Sequence, residues 1–173
     1  LKLIAIPDIH CLRAAQGWLQ LGNHIEANAE LENITPSLHS HPEVLSVRFE
    51  IFSKAEKWAY AAEIARAISE ILPENPYGPF RLAFSLHELK RTKEVYDVLI
   101  AVVEKFPDEH LMRYNLACYA CQFGNLKEAY QWLERRSIWP GKRMFGRRRS
   151  MIRTLNRCGE TFQKFSGQSR AQF

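Results

Sequence analysis

Apolar residues along the chain recur in short groups of helical spacing, and the groups themselves recur at a fixed interval. Ala27, Leu31 and Ile34 are spaced i, i+4 and i+7, which places them on one face of a helix. A step of 34 residues leads to Ala61, Ala65 and Ile68, and a second step to Val95, Leu99 and Val102. Ala129 and Leu133 continue the series, Pro73 and Pro107 share the step, and so do Trp58, Thr92 and Leu126. One face repeated at a constant interval is far rarer by chance than any single motif, and an interval of this length marks a repeat architecture.

Each period reads as a helix, a short break and a second helix. First helices are expected from about Asp8, Pro42, Tyr77 and His110, and second helices after breaks at Gly22-Asn23, Glu56-Lys57, Lys90-Arg91 and Gly124-Asn125. Gly22 and Gly124 suit a left-handed residue at the end of a helix. Pro73 and Pro107 stop the second helices, because proline offers no amide donor and crowds the turn before it. Small residues such as Ala15, Ala83 and Ala117 recur where the two helices of a pair should touch.

This pattern resembles the tetratricopeptide repeat, whose unit is a 34-residue helix–turn–helix. The fourth unit carries the strongest match, Asn115-Leu116-Ala117-Cys118-Tyr119 followed by Gly124-Asn125-Leu126-Lys127-Glu128-Ala129-Tyr130. The first supplies Trp18-Leu19, Gly22-Asn23 and Glu26-Ala27, whereas Arg48-Phe49 departs from the family in the second. The wording also resembles small stand-alone bacterial proteins of this type. The resemblance, over about residues 8–136, implies an all-α, right-handed superhelical solenoid with a concave face lined by first helices; the tail beyond it lacks apolar periodicity, so a poorly structured C-terminal tail is expected. We expect an N-terminal extension (1–7), a repeat array (8–140) with units near 8–41, 42–75, 76–109 and 110–140, and a basic tail (141–173).

Charge separates the array from the tail. Residues 1–134 hold 13 Lys+Arg against 18 Asp+Glu, a net of −5, whereas residues 135–173 hold 11 against 1, a net of +10. Such a basic run attracts nucleic acid through counterion release. A different origin for the tail emerges from back-translating residues 150–165 with common codons. Read one base out of frame, they give HDPDLEPLWRNISKI, similar to the acidic ending of the small bacterial repeat proteins. A change of reading frame near Arg136 is therefore expected, which would leave Trp132 and Leu133 of the last helix without a covering cap.

Candidate chemistry is sparse. Cys118 and Cys121 form a Cys-x-x-Cys pair, but in mid-helix and without a second ligand pair, so packing explains them better than redox chemistry or zinc. His39 and His41 share a loop with no carboxylate or cysteine cluster to complete a metal site. The four cysteines do not suggest a disulfide scaffold, and no stretch reaches the roughly 18 apolar residues of a membrane span. We expect no enzyme, no cofactor, no metal and a cytoplasmic location.

The resemblance implies that function sits in the concave groove, with a peptide or a partner's helix as its occupant. Repeat positions assign Arg13, Gln16, Glu50, Arg81, Phe84, His87, Tyr114 and Asn115 to that face, with Ser46 and Cys118 beside them. The lysine–asparagine clamp of chaperone-binding relatives is not reproduced, since Leu12, Glu43, Ser46 and Leu111 stand where its residues would be sought. The expected function is a protein–protein interaction module, an adaptor or scaffold. The alternatives are a nucleic-acid-associated protein working through the tail and a secretion-type chaperone. The repeat register has a direct check. Position 61 is a small helix-contact residue, so Ala61→Trp is expected to cost about 1–3 kcal/mol through overpacking. An unchanged melting temperature would refute the register.

Overall fold

A computed structural model describes residues 3–136, and every regular element among them is helical. The basic tail, the expectation that it is poorly structured and its reading-frame question all lie outside the described residues. The helices are α1 (Asp8–Gln20), α2 (His24–Glu32), α3 (Pro42–Lys54), α4 (Trp58–Ile71), α5 (Tyr77–Glu88), α6 (Thr92–Val102), α7 (His110–Gln122) and α8 (Leu126–Arg136), with a 3₁₀ turn at Pro36–Leu38. The second helices start at His24, Trp58, Thr92 and Leu126, in steps of 34.

The chain divides into two compact units between Arg91 and Thr92, a division that falls inside the expected third repeat. In the first unit α1 packs on α2 and α3, α2 on α3, α3 on α4, and α4 on α5. In the second, α6 packs on α7 and α7 on α8.

The periodic apolar residues supply the cores. Leu12 and Ala15 of α1 cluster with Ala27 and Leu31 of α2, with Ile34 and Leu38 beyond it, and with Val44, Val47 and Ile51 of α3. Ala61, Ala65 and Ile68 are fully buried in the first unit, as are Val95, Leu99 and Ala129 in the second. Each large aliphatic side chain so buried contributes about 1.5–3 kcal/mol. Val102 breaks the series: it is only half-buried, and its neighbour Val103 is buried instead. Helix α6 ends at Val102, so the chain leaves helical phase there and the next side chain turns inward. Trp132 and Leu133 also depart from expectation. Both are buried, in a helix packed on α7.

Within each pair the chain reverses through the same hydrogen-bonded turn. Asn23, Lys57, Arg91 and Asn125 donate their amides five residues back, to the carbonyls of Trp18, Phe52, Leu86 and Ala120. The preceding residues, Gly22, Glu56, Lys90 and Gly124, donate three back to Leu19, Ser53, His87 and Cys121. This double closure satisfies carbonyls that the helix end would leave open, and it requires a left-handed residue at its centre. All four centres have positive φ, at 82°, 55°, 61° and 77° in chain order. Glycine accepts that conformation freely, whereas Glu56 and Lys90 meet the Cβ–carbonyl clash of an L-residue.

The outer turns are better built in a second respect. Asn23 Oδ1 accepts the Glu26 amide at 3.2 Å, and Asn125 Oδ1 accepts the Glu128 amide at 3.2 Å. Lys57, at the same place before α4, offers no side-chain cap. Replacing Glu56-Lys57 by the Gly-Asn of the outer turns removes the strain and adds a cap. Glu56→Gly with Lys57→Asn is therefore expected to stabilise the protein by about 1–2 kcal/mol, read as a rise in urea midpoint at constant m. A lower midpoint would show that the turn does not carry the strain.

Candidate functional site

Three contacts position the first unit's most chemically varied face, where α3 lies beside α5. At one end of the unit, Asp8 accepts from the Thr35 amide at 2.7 Å and the Thr35 hydroxyl at 3.0 Å, tying the start of α1 to the link that leads into α3. At the other end, Gly78 lets α5 begin hard against α4: a Cβ there would come within 2.8 Å of the Ser69 backbone. His41 caps α3 with Nδ1, which accepts the Glu43 amide.

Arg81 is the centre of this face. Its guanidinium lies 4.8 Å from the centroid of the Tyr77 ring and 5.2 Å from that of Phe49, and its Nη2 donates to Glu50 Oε1 at 2.8 Å. The rings hold the cation through their negative faces, while Glu50 supplies the counter-charge. Burial raises the Tyr77 phenol above its ordinary range, and Glu50 adds to the rise. Arg81 opposes it, as does the hydrogen bond to Ser46. One turn further along α5, Phe84 meets Trp58 edge-to-face at 5.4 Å. On α4, Tyr60 stacks on Phe52 of α3 at 5.4 Å and is itself well exposed.

Four of the sequence-assigned residues, Glu50, Arg81, Phe84 and His87, thus belong to α3 and α5 of the first unit. Arg13 and Gln16 are exposed on α1 and make no ion pair or side-chain hydrogen bond with a described residue. Tyr114 and Asn115 belong to the second unit, where Tyr114 is half-buried and Asn115 is buried at 6 % exposure. Arg13, Arg81 and Asn115 are therefore unlike in exposure despite their common repeat position. Phe49, Tyr77 and Trp58 were missed. The 34-residue alignment sets Arg81 opposite Val47, yet the paired side chains, Glu50–Arg81 and Ser46–Tyr77, are 31 apart. Helix α5 is offset from α3 by about one turn, which the alignment does not register.

Among solved structures the chain is similar to MamA of MSR-1, with TM-score 0.63 and 20% identity over 79% of each chain. A double mutant of MamA from RS-1 gives 0.66 and 12%, over 75% of this chain and 73% of that one. MamA of AMB-1 gives 0.60 and 22%, over 73% and 69%. No family model matches the chain, and no curated protein matches it.

The chain has the helical-repeat fold of MamA. MamA is a tetratricopeptide-type protein, and identities this low carry the fold alone. Other candidate chemistry sits within the same framework. Cys118 and Cys121 both lie in α7, the first buried and the second half-buried, and neither forms a disulfide with a described residue. His39 Nε2 donates to the Ile34 carbonyl at 2.8 Å, so with His41 acting as a cap both loop histidines have structural roles. Among the described residues no group of three or more His, Cys, Asp or Glu could hold a metal ion, and no helix is long and apolar enough to cross a membrane.

His87 carries a pH dependence. Burial holds its imidazole below the ordinary 6.5, and the charge of Lys90 adds to the shift. The unfolded chain then binds the proton more readily than the folded one. The stability tied to a neutral His87 is present above 6.5 and is lost as pH falls through it. Melting temperature is expected to fall between about pH 7.5 and about pH 5. His87→Gln should fall less over that interval. An equal fall would mean that His87 does not titrate differently on folding.

Proposed function

We propose that this chain is a non-enzymatic protein-interaction module, an adaptor or scaffold of the tetratricopeptide type working in the cytoplasm. Its partner is a peptide or helix laid across the first-helix face. The observation that carries the reading is the face built from α3, α5 and the start of α4, in which an ion-paired arginine and an aromatic pair are held in place yet only partly buried. Anchored aromatic and arginine side chains of this kind dominate protein interfaces, because binding then costs little ordering of the surface. Arg13 and Gln16 extend the face along α1. The burial of Asn115 removes it from this role.

Affinity capture with the full chain tests the reading, using Arg13→Glu combined with Gln16→Ala, and separately Phe84→Ser. Each variant is checked for an unchanged helical signal. A captured partner is expected to be reduced roughly fivefold or more by either variant. A partner retained in full by both would overturn the reading. Nucleic acid recovered instead, and lost steeply with salt, would favour the Arg-rich tail as the functional element.

A further inference from the structure

The Glu50–Arg81 pair bears on what kind of segment the proposed face accepts, an inference that rests on the interaction reading above. The two ends of the pair are held differently. Arg81 is pinned between two rings and has a side-chain exposure of 20 %, whereas Glu50 is exposed at 38 % and is held by the arginine alone among the described contacts. A partner's carboxylate reaching Arg81 must first displace Glu50, and the two carboxylates would then share one cation. A partner's lysine or arginine reaching Glu50 meets the guanidinium, which cannot swing away from its rings. A neutral amide, from a main chain or from Asn or Gln, is a donor and an acceptor side by side. It can accept from Arg81 and donate to Glu50 with both left in place.

We propose that Glu50 is a specificity residue: an internal counter-ion that denies Arg81 to acidic ligands and tunes the α3–α5 face to an uncharged, amide-bearing stretch of a partner. Removing the counter-charge should convert the face into an acceptor for acidic peptides. Desolvation is modest at these exposures, so the selection works chiefly through charge and not through shape.

The test uses the full chain and three N-acetylated decapeptides rich in glutamine, glutamate or lysine. Binding to wild type, Glu50→Gln, Arg81→Gln and the double variant is followed by fluorescence anisotropy, with melting temperatures measured in parallel. Wild type is expected to prefer the glutamine peptide, with affinity changing less than about twofold between about 50 and about 300 mM salt. Glu50→Gln should gain about tenfold for the glutamate peptide, in a salt-sensitive way, and the double variant should lose that gain. The double variant shows whether the gain runs through Arg81 and not through altered folding. Wild-type preference for either charged peptide, or no gain in Glu50→Gln, would overturn the proposal. So would the absence of binding to all three peptides. If a captured partner is still lost on Phe84→Ser while these peptides fail, the interaction reading stands and only the role of Glu50 falls.

Discussion

The fold depends on how the chain reverses between the two helices of each pair. A left-handed residue flanked by a five-back and a three-back hydrogen bond leaves little freedom in the angle and spacing of the second helix. Once that geometry is set, Ala15 and Ala27, or Ala61 and Ala65, are in the places where helices can approach closely and bury the larger residues around them. The same backbone reversal recurs at Gly22, Glu56, Lys90 and Gly124, and in the pairs α1–α2, α3–α4 and α7–α8 the two helices it joins pack together. Where the sequence departs from glycine, the backbone keeps its conformation and the residue carries the strain. Tertiary packing on both sides of the turn outweighs a local penalty of about 1–2 kcal/mol.

The face between α3 and α5 is a consequence of that scaffold. Gly78 admits the start of α5 beside Ser69, and this sets Tyr77 and Arg81 over Phe49 and Glu50. No single contact there is strong. A cation over a ring contributes about 0.5–1 kcal/mol at a partly exposed site, and a partly exposed ion pair about as much. Together they keep a long, flexible side chain in one place, which for a binding surface matters more than its stabilisation. The second unit spends its polar groups differently. Tyr96 donates to Glu128, whose other oxygen accepts from Asn125, and Arg113 donates to the Pro107 carbonyl, so these groups are committed to holding α6, α7 and α8.

How much of this could be read from the chain alone varied with the kind of feature. The starts of all eight described helices followed from apolar spacing and the 34-residue period, with Gly-Asn at two of the breaks and Pro near others, because those signals are local and repeat. The left-handed backbone at Gly22 and Gly124 was legible from glycine, but nothing in Glu56 or Lys90 announces the same conformation; only their place in the period does. Val102 and Trp132 were misjudged for related reasons. Solvent exposure near the end of a helix depends on where the helix stops and what packs over it, and neither is written in a spacing rule.

The amino-acid sequence by itself determined the period, the helix pairs and the small residues at their contacts, since each follows from the geometry of a single helix. Tertiary structure decided which candidate residues meet. Arg81 reads as a free cation in a repeat alignment and proves to be a guanidinium shared by Glu50, Phe49 and Tyr77. Asn115, at the same repeat position, is buried. The physical reason is the offset between stacked helices. Residues equivalent by 34 are aligned in sequence, but side chains pair with those about one turn away, and that displacement exists only once the helices are packed.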